Sequence, residues 1–398
     1  MMGSKLTVRA YNVAFGDAIL VSVPDGGSVR HILIDVGNLV AGDGGPDTMF
    51  VDVVNDIAAR TNGVVDLYVM SHEHLDHVQG LRYAAQHGAS PLTAKRVWMT
   101  SSSQTHPDYY ASHPESKKRK LAAEAVFAQL QSSTPSMRGV GAVLQNNDRL
   151  AAGGGSTAEC VEHIRTQLAP EAAVRYVHRD SSLGRSLFTD RSTRLEVLGP
   201  EEDTSIYYGR FRPMALGRTV APATTPNGRD PAPAATLRPP LVPPAGVDAG
   251  AFFDLLASRA AGPSENVRLI DAAANNTSVV LSLRWKDWHL LFPGDTEVRG
   301  WKEMQKRGLL GPVHFLKVAH HGSDTGHPPS DILDTLLPVT PTDTRPRSAI
   351  VSTCVQHSYP SVPDDTTIDA IKARVETFER TDTKALGDFV EVEFDEHA

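Results

Sequence analysis

Cysteine is almost absent. Cys160 and Cys354 are the only two in 398 residues. They stand far apart rather than in a short paired motif, which argues against a disulfide framework and a cysteine zinc site and points to a reducing, cytoplasmic setting. No run of roughly 18 apolar residues occurs, so no membrane span is expected. The opening Met1-Met2-Gly3-Ser4-Lys5 lacks the apolar core of a secretion signal. Cationic excess is missing too. The formal net charge is −8, which argues against broad, charge-driven nucleic-acid binding but leaves room for a local basic groove or metal ions to hold phosphate. Apolar content of 40% and charged content of 22% are those of a globular chain, long enough for one large domain or two ordinary ones.

What is present is a dense cluster of metal-ligand residue types. Ser71-His72-Glu73-His74-Leu75-Asp76-His77 follows the apolar run Val64 to Met70, which reads as one buried strand. The loop at the end of such a strand is where open α/β sheets place their sites. His72 and His74 are two apart, so in an extended segment both rings point to one side and are able to pinch one ion. Asp76 and His77 come as the chain turns into a helix, expected over Val78 to His87, and face a second ion. Imidazole with carboxylate suits Zn, Fe or Mn better than Ca.

The remaining chain reads as strands and helices in alternation. Strands are expected at 6–13, after the Gly16-Asp17 turn through Val21, and at 30–36, 97–99, 173–178, 195–198, 279–283, 288–292, 313–318, 349–352 and 388–394. Helices are expected at 48–60, 115–131, 159–169 and 364–378, and a polar loop at 101–114 is placed to cover the site as a lid. Lys117-Lys118-Arg119-Lys120 is the densest basic run and reads as a solvated helix face. Residues 201–274 exceed what a loop needs and read as an insertion. Nine of the 27 prolines fall between Pro213 and Pro244, the mark of an extended or disordered segment, with one helix following at 248–260. Within the insertion, Ile206-Tyr207-Tyr208-Gly209-Arg210-Phe211-Arg212 reads first as an aromatic anchor and second as a surface for stacking bases and holding phosphate.

The His72-x-His74-x-Asp76-His77 motif resembles the signature of the metallo-β-lactamase-fold hydrolases. Further marks follow in that superfamily's order. They include Gly16-Asp17-Ala18, Ile34-Asp35-Val36-Gly37, the Gly199-Pro200 strand end, Asn275-Asn276-Thr277-Ser278, Gly294-Asp295 and Leu316-Lys317-Val318-Ala319-His320-His321-Gly322-Ser323. These are most similar to the competence-type branch, the soluble hydrolase domain of DNA-internalisation proteins. The resemblance covers residues 6–100 and 190–394. It implies a single α/β (α+β) domain over 1–398, an αββα sandwich with metals at one edge and the Pro-rich insertion at 201–274. It also implies two divalent ions, Zn or Mn. Asp295 becomes the bridging carboxylate and one of His320 and His321 a ligand, with the other facing the substrate. Asp17 and Asp35 orient metal-bound histidines, and Ser323 joins them around the site. His357, in His357-Ser358-Tyr359-Pro360, departs from the related His-Pro pair and is placed at the site rim. No third histidine for the first ion is evident, because His106, His113, His163 and His178 all precede the Gly199-Pro200 mark. Asn276 is expected nearby instead, as an oxygen ligand or a hydrogen-bond donor to the substrate, and the first position is expected to be weak or filled only with substrate present.

The function implied is a phosphodiesterase, most simply a nuclease acting on DNA through a metal-bound hydroxide, with Asp76 taking the water's proton and His320, His321 or His357 serving the leaving oxygen. Two rivals stand beside it. One is a small-molecule hydrolase for lactones, β-lactams or thioesters. The other is a metal-stabilised binding module that recruits a protein partner through the insertion.

Overall fold

The computed structural model describes residues 5–38, 46–103, 107–133, 156–208, 243, 246–249, 252, 270–341, 343–355 and 361–396. They form a mixed α/β protein built on two large sheets. The first takes β1 (Lys5–Tyr11), β2 (Ala18–Asp25), β3 (Ser28–Val36), β5 (Leu67–Met70), β7 (Val97–Thr100), β8 (Val174–Val177) and β15 (Phe389–Asp395), in the order β15-β1-β2-β3-β5-β7-β8. The second takes β9 (Arg194–Gly199), β10 (Val280–Trp285), β11 (Trp288–Phe292), β12 (Phe315–Lys317), β13 (Ser348–Val351) and β14 (Thr377–Arg380), in the order β14-β13-β12-β11-β10-β9. A short pair, β4 (Val64–Val65) and β6 (Thr93–Ala94), stands apart.

Three apolar clusters set the layering. Along β3, Ile32 and Ile34 point one way and Leu33 the other, as the period-two pleat requires. Ile32 and Ile34 join Leu6, Val8, Ile19, Val21 and Val69 against Leu281, Leu283, Leu290, Phe292 and Phe315, so the two sheets face each other. Leu33, Leu20, Tyr68 and Met70 instead meet helices α1 (Met49–Thr61), α2 (Leu75–Gln86) and α5 (Thr157–Gln167), through Phe50, Val53, Val78 and Ile164. On the far side, Leu291, Leu316 and Val351 meet α6 (Val298–Lys306), α7 (Ser330–Leu336) and α8 (Asp365–Lys372), through Trp301, Leu333 and Ile371. Each buried Leu, Ile or Phe removed from water contributes roughly 1.5–3 kcal/mol.

Each sheet is antiparallel at one end and parallel at the other. β3, β5, β7 and β8 run parallel, as do β11, β12, β13 and β14. The loops after β3, β5, β11 and β12 therefore leave each sheet at its carboxyl edge, and they meet there.

Four expectations need correction. The run Val64 to Met70 is two strands broken at Asp66, whose carboxylate accepts the His31 amide at 3.0 Å and the Lys95 ammonium at 2.8 Å. Helix α2 begins at Leu75, three residues early, so Asp76 and His77 ride on its first turn. The loop at 101–114 contains a 3₁₀ turn at Ser101–Ser103 and the helix α3 (Pro107–Ser112). The helix at 364–378 stops at Lys372, and Thr377–Arg380 extends the second sheet.

Of the basic run, Lys117 stays exposed on α4 (Pro114–Ser133), whereas Arg119 and Lys120 make inward contacts. Arg119 donates to the Ser205 carbonyl at 2.8 Å, and Lys120 donates to the Ser102 carbonyl and to Glu73 Oε2. Tyr207 is buried; its hydroxyl accepts the Glu201 amide at 3.0 Å within the insertion, and its carbonyl accepts from Arg299 Nη1 at 3.2 Å. Residues 209–212 of the aromatic and arginine patch, the proline-rich stretch up to residue 242, most of the helix expected at 248–260, His106 and His357 lie outside the described residues. Among the described residues no helix is long and apolar enough to cross a membrane.

Candidate metal centre

Four chain segments deliver the site. Asp35, next to last in β3, lies in the left-handed region, φ 53°, and its carboxylate accepts the Ser71 amide at 2.7 Å and the Ser71 hydroxyl at 2.6 Å. That hydroxyl has one hydrogen, which goes to Asp35. It therefore acts as acceptor toward His72 Nδ1 at 3.0 Å, which fixes the proton on Nδ1 and leaves His72 Nε2 bare. Asp35 also accepts from His77 Nδ1 at 2.8 Å. The Gly16-Asp17 turn and Gly37 press against the first turn of α2. A Cβ on Gly37 would stand 2.3 Å from the His77 backbone nitrogen, so only glycine fits.

After β12 the chain makes a 3₁₀ turn, His320–Gly322, in which His320 and His321 both adopt positive φ, 47° and 54°. Non-glycine residues held this way cost about 1–3 kcal/mol each and gather where a site needs them. The turn sends the two rings in opposite senses. His321 points inward and is fully buried. Its Nδ1 donates to the Ser352 carbonyl at 3.0 Å, and its Nε2 lies 3.3 Å from Asp76 Oδ2 and 3.4 Å from Asp295 Oδ2. His320 points to the mouth, with Nδ1 3.1 Å from Thr325 Oγ1 and 3.5 Å from Glu297 Oε1.

Asp76, His77, Asp295 and His321 thus form one buried group, with His77 Nε2 3.1 Å from Asp295 Oδ2. Ligands on one tetrahedral ion at about 2.0–2.1 Å stand roughly 3.3 Å apart, the spacing seen here. His72, His74 and Asp76 form a second group, so Asp76 belongs to both. The Nε2 atoms of His72 and His74 are buried without a hydrogen-bond partner, and so is Asp295 Oδ1. Buried polar atoms rarely stay unsatisfied. Bare imidazole nitrogens beside carboxylates are the donor set a divalent ion takes, so these residues fit a metal.

The electrostatics differ between the two groups. Burial opposes charge on His321, but the Asp295 and Asp76 carboxylates outweigh it and push the imidazole up to about 10. Burial likewise opposes charge on His77, which Asp295, Asp76 and Asp35 nonetheless hold well above the usual histidine range. Asp295 sits well below the usual carboxylate range: His77 and His321 overcome its burial. This group calls for positive charge, which a cation supplies in place of protons. His72 goes the other way, well below its usual value, through burial and through its neighbours His77 and His74. It is held as a neutral imidazole.

Two expected site residues take other roles. Asn276 is no stand-in ligand. Its Oδ1 accepts the amides of Glu297 at 3.2 Å and Gly300 at 2.7 Å, capping α6, and its Nδ2 donates to the Ala272 carbonyl at 2.6 Å. Ser323 bonds locally to Thr325 and Asp324. Asp17 lies within the span of Asp35 and His77, but its carboxylate accepts from Lys317 Nζ at 2.5 Å.

Sequence reasoning gave no role to Ser71, Asn275, Ser278 and Lys317, though they stand in its motifs, nor to Asp271 and Glu297. Ser278 Oγ lies 3.4 Å from His72 Nδ1 and accepts the Asp295 amide at 3.1 Å. Asn275 Nδ2 donates to Glu297 Oε1 at 2.8 Å. Asp271 Oδ1 stands 3.8 Å from His74 Nε2. The hydroxyls were readable only as members of those motifs, and Asp271 sits in no motif.

No protein-family model matches the chain, and no curated protein matches it.

Proposed function

We propose that this chain is a metal-dependent hydrolase of the metallo-β-lactamase fold that acts on phosphodiester bonds, with nucleic acid as its substrate. The observation that carries the reading is the convergence of Asp76, His77, Asp295 and His321 on one point, with the bare nitrogens of His72 and His74 beside it and Asp76 shared between the two groups. Two face-to-face sheets with helices outside, and the order of the motifs along the chain, support the fold. Zn or Mn fits the mixed imidazole and carboxylate donors. Divalent ions held there supply Lewis acidity toward a phosphoryl oxygen and lower the pKa of water toward neutrality.

The protein's own residues divide the remaining work. Asp76, buried between both groups, is placed to take a proton from water. Asp295 joins His77 and His321 at the second position. His320, at 19% side-chain exposure against 0% for His321, faces the mouth and is the group positioned to protonate a leaving oxygen. Glu297 beside it holds the imidazole's orientation.

One observation favours a second substrate class. Glu297, at 11% side-chain exposure, puts a carboxylate beside the partly exposed His320, which repels a polyanion and suits an uncharged lactone or thioester. The test is hydrolysis by metal-stripped protein resupplied with Mn, Zn or Mg, beside Asp76→Ala. Cleavage of linear or circular DNA and of bis-p-nitrophenyl phosphate that needs both metal and Asp76 supports the phosphodiesterase. Turnover of a lactone or nitrocefin alone transfers the reading to the small-molecule class. Metal-free wild-type activity sinks both.

A further inference from the structure

The first metal position is short of a ligand. His72 and His74 supply two neutral nitrogens, and Asp76 supplies an oxygen it shares with the other group. Catalytic sites of this kind take three protein ligands and leave a fourth position for water or substrate. Among the described residues, the group that holds His72 and His74 contains no third histidine.

We propose that Asp271 is a dedicated ligand of the first metal position, an inference that rests on the hydrolase reading above. Residues 270–275 are helical. Asp271 and Asn275 are four apart, so they share a face of that helix. Asn275 Nδ2 lies 3.5 Å from Asp271 Oδ2 and 2.8 Å from Glu297 Oε1. The amide thus holds one oxygen of Asp271 back, and the other, Oδ1, stands 3.8 Å from the otherwise unpartnered His74 Nε2. Closing that gap by about 0.5 Å brings the pair to the separation of two ligands on one tetrahedral ion. Asn276, the next residue, ties the end of this helix to α6 through Glu297 and Gly300, so Asp271 is delivered from an anchored backbone. Its charge also answers a need. His72 and His74 bring none, and Asp271 makes the first position able to hold a dication without drawing on Asp76.

The chemical consequence is selectivity. Two imidazoles and a carboxylate favour Mn more than three imidazoles do, and replacing Asp271 by His moves the position toward Zn.

The experiment is equilibrium metal binding, free of any activity readout. Mn is titrated into metal-stripped protein and free Mn followed by electron paramagnetic resonance, with Zn measured against a chelating dye. Wild type, Asp271→Asn, Asp271→His and His74→Ala are compared, each checked by circular dichroism. Wild type is expected to take up two ions. Asp271→Asn is expected to keep one unchanged and to bind the other about 10–100-fold more weakly, as His74→Ala does. Asp271→His is expected to recover tight Zn binding but not Mn, which separates a lost ligand from a damaged fold. Two unchanged affinities in Asp271→Asn overturn the assignment while leaving the hydrolase reading in place. Wild-type protein that takes up no ion overturns both.

Discussion

Lys317 Nζ lies 2.5 Å from Asp17 Oδ2, and each side chain is 2% exposed. The pair joins β12 in the second sheet to the turn before β2 in the first. The Asp17 amide in turn donates to the Asp76 carbonyl at 3.0 Å, so the ion pair steadies the backbone under a proposed ligand. Removing one partner strands a buried charge, which costs about 3–5 kcal/mol. Lys317→Met is therefore expected to lose that much in urea denaturation, and Asp17→Leu added to it to recover part. A single-variant loss under about 1 kcal/mol would show that the pair does not hold the sheets.

Asp35 accepts three hydrogen bonds, from the Ser71 amide, the Ser71 hydroxyl and His77 Nδ1. Asparagine tolerates its left-handed backbone but offers one oxygen. Asp35→Asn should keep the fold and weaken metal uptake about 10–100-fold, because the orientation of His77 is lost. Metal titration alongside a thermal melt checks this, and undiminished affinity counts against the positioning role.

Asn276 caps α6 from outside the helix. Asn276→Ala should cost about 1 kcal/mol of stability, the usual loss on removing a cap. Metal stoichiometry should stay at the wild-type value. A lost ion in this variant would return Asn276 to the ligand set.

Far from the site, Asp25 is buried, but the amides of Asp190 and Thr189, the Thr189 hydroxyl and Arg30 hold its carboxyl down to about 2. Its folded pKa lies below the unfolded value of about 3.9, so its contribution is complete above that pH and is lost as pH falls toward 2. The loss amounts to about 2 kcal/mol. Urea denaturation between pH 5 and pH 2 should show it, and Asp25→Asn should flatten that limb of the profile.

Strand positions were legible because residues such as Ile32, Leu33 and Ile34 alternate between two apolar layers, and that pattern survives in one dimension. Boundaries were less so. Val64 to Met70 looks continuous because Asp66 breaks the strand through contacts with His31 and Lys95, which sequence does not announce. The buried group was legible wherever ligands stand in motifs. Which of His320 and His321 turns inward was not, since it depends on two consecutive left-handed backbones. Asp271 was hidden because its relation to His74 spans about two hundred residues and has no local signature, and Asn276 misled because a polar side chain in the right place was spent on the α6 amides.

The pairing of β1 with β15, Lys5 opposite Asp395, has a consequence in time. At about 5–20 residues per second, a ribosome needs roughly 20–80 seconds to deliver β15 after β1 has emerged. Through that interval β1 offers an open edge carrying Val8 and Ala10, and the Arg9 guanidinium still lacks the Glu391 carboxylate it will grip. An unpaired apolar edge is what recruits stray strands. Yield of this protein should therefore depend on holdase chaperones acting during synthesis, and slowing translation should lower it.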